Sequence, residues 1–365
     1  MNKEKILFYK ILIYRCTLKP LKRLKYKAFD FFWIKKQFSG ARLNEKRIFL
    51  VGTPEHRNFG DQAIAQAEIE FLKDYFPERD AVEITLPRFM RLRGFLKSNV
   101  KAADLILLHG GGYMGNLWME GEIMFREALR CFSDNKVVAF PNTVFFQKIA
   151  NWENELEETK KAYREHKNLT VFIRDESFEY MVNEICGAAD ICVLNTPDIV
   201  LYLNESKTKL ERKNVTFVMR GDHEKTTSDD LVKTLVSHVE KYGYSCRYSS
   251  MIAASKPDIS KRETFLQGKF DEFRSSKLVI TDRLHGMIFS AVTGTPCIAF
   301  NNSSKKVQGV WNLWLRGIPY VKFVNSEEEA IALMREMLNL PEQNYDNSMF
   351  KEQWDRIASI VKESL

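Results

Sequence analysis

Arg283 and His285 stand two residues apart in Thr281-Asp282-Arg283-Leu284-His285-Gly286, directly behind the apolar run Lys277–Ile280. That run, rich in β-branched residues, reads as a buried strand. A helical pattern follows through Met287, Ile288, Ala291 and Val292 until Gly294 stops it. Thr281 and Asp282 offer N-cap chemistry between the two elements. Both basic residues then fall in the first turn of a helix, where free backbone N–H groups and the positive dipole end already favour an anion. Two cations there reverse the usual acidic bias. Either they pair with acids from other elements, or they help to form a pocket for a phosphate or carboxylate. A second buried strand, Cys297–Phe300, follows Pro296 and leads into the polar loop Asn301–Gly309, whose Lys305 and Lys306 can close over a phosphate.

Other loops carry chemistry of the same kind. Asn58-Phe59-Gly60-Asp61 opens a helix; Gly60 permits a tight turn, and Asp61 is either a plain N-cap or a carboxylate facing a ligand. His109-Gly110-Gly111-Gly112-Tyr113-Met114-Gly115 satisfies G-x-G-x-x-G literally. It follows a third strand rather than a first, however, and the next strand ends in Pro141-Asn142 instead of an acidic ribose ligand. Its glycines fit close approach of backbone amides to a ligand better than a dinucleotide site. Arg174-Asp175-Glu176-Ser177 and Arg220-Gly221-Asp222-His223 complete the set. The six histidines form no H-x-x-x-H pair and the six cysteines no C-x-x-C pair, so the sequence implies no metal site and no disulfide framework.

The elements that must position these loops alternate regularly. Strand patterns recur at Arg47–Gly52, Ala81–Leu86, Asp104–His109, Lys136–Phe140, Leu169–Ile173 and Asp190–Leu194, with helical patterns at Asp61–Tyr75, Met119–Phe132, Trp152–His166 and Asp175–Ile185. After a polar interval, Asn204–Lys213, the alternation restarts with Val215–Met219, the helix Ser228–Tyr242 and the strand Ser245–Met251. It closes on Pro319–Val324 and the helices Ser326–Leu338 and Phe350–Leu365. Strands alternating with helices predict parallel sheets covered on both faces, here as two α/β domains, residues 47–204 and 205–365, with ligands in the cleft at the strands' carboxyl ends.

With 365 residues and 45% hydrophobic content the chain can build two packed cores. Its net charge of +7 is uneven: residues 1–47 hold 14 Lys/Arg and three acids, which leaves the body slightly acidic. Residues 1–46 therefore read as a basic amphipathic leader in which Phe29, Phe31, Phe32, Trp33 and Ile34 alternate with lysines. Such a segment either lies on an anionic membrane surface through about residue 40 or docks on the body as helices. No basic stripe or recognised module continues into the body, so nucleic acid is not expected as a partner. No apolar stretch is long enough for a transmembrane helix, and lysines and Arg15 break the signal-peptide pattern, so a cytoplasmic protein is expected, peripheral at most on the inner membrane face.

N-x-G-D after the first strand, the glycine triplet, R-D-E-S and T-D-R-L-H-G with a following K-x-x-G loop resemble the polysaccharide pyruvyltransferase family, from about Arg47 to Leu338. The leader lies outside that resemblance. It implies two Rossmann-like domains arranged as in glycosyltransferase-B enzymes. It also implies transfer of a pyruvyl group from phosphoenolpyruvate to two hydroxyls of a sugar in a cell-surface or exopolysaccharide precursor, giving a cyclic ketal with no cofactor. By that similarity the second domain is the donor side, and Arg174 of the first domain with Arg283, His285 and Lys306 of the second would bind the donor. The first takes a lipid-linked or polymeric glycan acceptor, with Asn58, Asp61, His109 and Gly111 as the residues placed to meet it. The residue types suit this chemistry: arginine matches both anions of the donor through its fork. A histidine, with an ordinary pKa of about 6.5, can protonate the methylene carbon or assist the leaving phosphate. His285 is the candidate acid and Asp61 the candidate base. A nucleotide-sugar glycosyltransferase of the same fold, or a non-catalytic polysaccharide-assembly protein, are the competing readings.

Overall fold

The computed structural model describes residues 19–39 and 46–365. The expected leader therefore lies in part outside the described residues. Its described part is a helix, α1 (Lys19–Gln37). After it the chain alternates as its apolar periodicity requires: β1 (Ile48–Thr53), α2 (Phe59–Tyr75), β2 (Ala81–Thr85), α3 (Leu86–Asn99), β3 (Leu105–Leu108), β4 (Gly111–Gly115), α4 (Met119–Cys131), β5 (Val137–Phe145), α5 (Trp152–Arg164), β6 (Leu169–Ile173) and β7 (Cys192–Asn195). All pair in parallel into one sheet of order β2-β1-β3-β5-β6-β7, with β4 added beside β5. β1 and β3 are buried along their whole length, the mark of a sheet covered on both faces.

A second parallel sheet, of order β12-β11-β10-β8-β9, is built from β8 (Asn214–Val218), β9 (Cys246–Tyr248), β10 (Ser276–Thr281), β11 (Cys297–Ala299) and β12 (Val321–Phe323). Its helices are α6 (Asp229–Lys241), α7 (Arg262–Arg274), α8 (Leu284–Val292), the short α9 (Lys306–Val310) and α10 (Glu327–Asn339). The two parallel, helix-covered sheets are the α/β architecture expected. One element departs from the simple division at residue 205. The last helix, α11 (Lys351–Glu363), leaves the second sheet and returns to the first domain, where buried Trp354 meets Tyr202 edge-on and Asp355 accepts from the Tyr75 hydroxyl.

The two domains are joined where their sheets face each other. Asn58 and Ile252 form an antiparallel bridge, with Phe59 N donating to Met251 O and Ala253 N to Arg57 O. Beside it Phe59 stacks on Phe265 at 4.6 Å, and Arg262 from α7 reaches Gln62 and Glu83. Four labelled elements have no counterpart in the sequence reading: α3, α7, α9 and β4. The expected helix Asp175–Ile185 is only a short turn, Phe178–Tyr180, which widens to a π-helical segment over Met181–Cys186.

Candidate active site

The carboxyl ends of both sheets line a cleft of about 670 Å³ between the domains. β6 ends directly before Arg174, β8 two residues before Arg220, and β10 two residues before Arg283. Three guanidinium groups, His285 and Lys306 therefore face one space.

Arg174 is buried with its counter-ion. Its Nη1 lies 2.6 Å from Asp198 Oδ2 and its Nε donates to Thr143 Oγ1 at 3.0 Å. Burial alone would raise the Asp198 carboxyl, but Arg174 and then His285 outweigh it and hold the group down at about 2. His285 Nε2 points toward the same Asp198 oxygen at 3.6 Å and has no hydrogen-bond partner. The imidazole is held in place from below by α2: a Cβ at Gly60 would stand 2.3 Å from His285 Nδ1, so only glycine leaves room for the ring. Gly286 has a matching role on the other side. A Cβ there would meet Thr281 Oγ1 at 2.3 Å, the atom that accepts from Arg283 N and donates to Val218 O.

Arg283, its side chain 13% exposed, has no such counter-ion. Its nearest carboxylate, on Asp222, is 3.8 Å away, and its Nε reaches Met219 O at 3.4 Å. Burial and the like charge of Arg220 both push its pKa below the ordinary value. Arg220 itself is saturated by Asp222, at 2.8 and 3.0 Å, and by Glu224. Glu224 is fully buried and also accepts from Lys306 Nζ, Asn302 and Ser304. Burial opposes its charge, yet Lys306 and Arg220 prevail and lower its pKa. Asp282 does not cap α8 as expected. Its carboxylate accepts from Arg220 N and Thr227 Oγ1, tying β8 to β10, while Arg283 occupies the N-cap position with no side-chain cap bond.

The first domain contributes a different lip. The α2 cap is Asn58, whose Oδ1 accepts from Gly60 N at 2.9 Å, so the carboxylate of Asp61 is not the cap and faces the cleft. His56 Nε2 lies 3.5 Å from Asp61 Oδ2 and 3.3 Å from the Tyr113 hydroxyl. Trp118, 42% exposed, meets His223 of the second domain across the mouth at 5.4 Å.

Residues 58–304 match the family described as polysaccharide pyruvyl transferase. The chain belongs to that family. It is 34% identical over 312 residues to General stress protein 30 of Bacillus subtilis, covering 84% of this chain and 90% of that protein. It is 28% identical to Pyruvyl transferase 1 of Schizosaccharomyces pombe, over 84% of this chain and 79% of that one. An uncharacterized protein of Klebsiella pneumoniae shares the fold with a TM-score of 0.53 at 18% identity, over 82% of this chain and 98% of its own.

For this member of the polysaccharide pyruvyl transferase family the cleft gathers Arg174, Arg283, His285, Lys306, Asn58 and Asp61. Two expected residues stand elsewhere. His109 is fully buried behind the cleft, its Nδ1 2.7 Å from the equally buried Glu68, which also accepts from Gly110 N. The apolar strand before it carries His109 into the sheet's interior, so it supports the glycine turn instead of meeting a sugar. Gly111 is likewise buried, at the start of β4, and Gly112 is the glycine of that run that lines the cleft. Among the described residues no group of three or more His, Cys, Asp or Glu side chains is arranged to hold a metal ion. Asp198, Glu224, His56 and Trp118 were not singled out from sequence, and Arg220 was noted in its loop without a role. Arg220 and Asp198 both follow a strand end, which is the signal that marks them.

Proposed function

We propose that this protein transfers a pyruvyl group from phosphoenolpyruvate to two hydroxyls of one sugar in a cell-surface glycan precursor, forming a cyclic ketal. The observation that supports this most is Arg283, a largely enclosed guanidinium at the cleft with no carboxylate closer than 3.8 Å. A small dianionic donor supplies the missing charge, and the fork suits both its carboxylate and its phosphate. Arg174 and Lys306, neutralised by Asp198 and Glu224, then act as fixed hydrogen-bond donors.

In this reading His285 gives a proton to the methylene carbon, which becomes the methyl group, and the central carbon becomes electrophilic. One sugar hydroxyl adds there and releases its proton to Asp61 or His56. The carbon–phosphate oxygen bond breaks, phosphate leaves, and the second hydroxyl closes the ring with loss of its own proton. Two hydroxyl protons are released and one is taken up on carbon, so acid and base must stand on opposite lips, as His285 and Asp61 do. The acceptor is taken to be lipid-linked or polymeric, and the enzyme to work at the inner face of a membrane.

Incubating the protein with phosphoenolpyruvate and candidate glycans should release one phosphate per acceptor. The glycan should gain the mass of one pyruvate less one water. Stabilisation by nucleotide sugars but not by phosphoenolpyruvate in a melting assay would instead favour glycosyl transfer on the same fold.

A further inference from the structure

The described half of the leader has two unlike faces. One is docked: Asp30, 6% exposed, pairs with Arg88 and Arg91 of α3; Arg88 lies over Trp33; and Phe38 packs against Phe49 and Phe95. The other bears Phe29, Phe31 and Phe32 at 56, 61 and 66% exposure. At a helical turn of 100° per residue, Lys35 and Lys36 fall between these rings on the same outward face. Among the described residues thirteen large hydrophobic side chains are exposed, and three of them, Phe29, Phe31 and Phe32, lie on this face. Exposed rings gathered on the face of a helix turned away from its docked side mark an interaction surface.

Charge says what covers it. Among the described side chains Lys27, Lys35 and Lys36 are exposed, and the acid, Asp30, is held by two arginines of the body. The outward face is cationic and aromatic together, the pattern of a helix lying in an anionic lipid headgroup layer, with rings inserted and lysines reaching to phosphates. α1 packs along α3, with Tyr26 under Arg91, Trp33 under Arg88 and Phe38 against Phe95, and α3 starts at Leu86, which lines the cleft.

We propose that the outward face of α1, centred on Phe29, Phe31, Phe32, Lys35 and Lys36, seats the protein on an anionic bilayer. The proposal deepens the reading of a membrane-borne acceptor, but its test does not depend on the reaction. The full chain is mixed with vesicles of neutral lipid, or of neutral lipid with a fraction of phosphatidylglycerol, and sedimented at rising salt. Wild type should pellet only with the anionic vesicles and be released as salt rises. The triple variant F29S/F31S/F32S, with an unchanged melting curve, should partition at least about tenfold more weakly. K35Q/K36Q should bind less and lose part of the salt dependence. Unchanged binding of the triple variant would overturn the proposal, because attachment would then reside elsewhere in the chain. Absence of vesicle binding by wild type, or a wild-type dimer that the triple variant dissolves, would also overturn it, the latter by making this face a contact between copies. If vesicle binding holds but no glycan gains pyruvate, the functional reading fails and this one stands.

Discussion

Arg174 and Arg283 reach the same cleft from different domains, and both are largely removed from water, yet they are held in opposite ways. Arg174 has a carboxylate at 2.6 Å and a hydroxyl at 3.0 Å, so its charge is settled before any ligand arrives. Arg283 has only a backbone oxygen at 3.4 Å and a carboxylate at 3.8 Å. A buried cation with its partner in place builds the site. One without a close partner leaves electrostatic attraction to be used by an anion, at a standing cost to stability. The difference separates structure from recognition within a single cluster of arginines.

The largest effect should come from breaking the settled side. Asp198→Asn leaves Arg174 buried with no counter-charge and His285 with no carboxylate beside it. Chemical denaturation should show a loss of about 3–5 kcal/mol, with activity abolished. A loss below about 1 kcal/mol would show that Arg174 is not held by this pair.

Arg283→Lys probes the other side. It keeps a charge and gives up the fork, so the fold should remain while donor affinity falls by roughly 10- to 150-fold, the equivalent of about 1.5–3 kcal/mol for charge-assisted hydrogen bonds. Calorimetric titration with phosphoenolpyruvate reads this directly; equal affinity in both proteins would remove Arg283 from the donor site. Gly60→Ala touches neither arginine but places a methyl group where the imidazole of His285 lies. Turnover should drop by about tenfold or more with donor affinity little changed, if the ring moves protons and does not merely bind.

The settled pair also has a pH dependence. The Asp198 carboxyl is lowered in the folded state to about 2, against burial, by Arg174 and His285. Its contribution to stability is thus fully present above the unfolded carboxyl value near 4 and is lost as pH falls through about 2. By linkage the amount is about 2–3 kcal/mol. Asp198→Asn should flatten that limb of the acid-denaturation curve, and an unchanged limb would assign it to other carboxylates.

The same contrast explains what was legible in the sequence. The unit from β10 to β11 could be read almost residue by residue, because a β-branched run, a helical period and Gly294 at φ 66° are all local signals. The alternating strands behaved likewise. α3 escaped notice because Pro87 and Gly94 interrupt its pattern, though a proline in the first turn is compatible with a helix. β4 was hidden by its glycines, which read as a turn but run straight beside β5. His109 was misplaced because a loop-like glycine string says nothing about which way the preceding side chain faces. Asp198 was beyond reach for a different reason: its partners lie 24 and 87 residues away, and only the closed sheets bring them together.

The return of α11 to the first domain has a consequence for the chain's synthesis. Trp354, Ile357 and Val361 belong to the same apolar cluster as Phe71 and Leu72 of α2, and Lys136 and Lys46 donate to the carbonyls of Glu363 and Leu365. A nascent chain can assemble the seven-stranded sheet early, but one flank of α2 stays uncovered until the whole second domain has emerged. Birth order is thereby inverted: the domain made first is finished last, and a ribosome stalled before Lys351 would leave it with an open, aggregation-prone side.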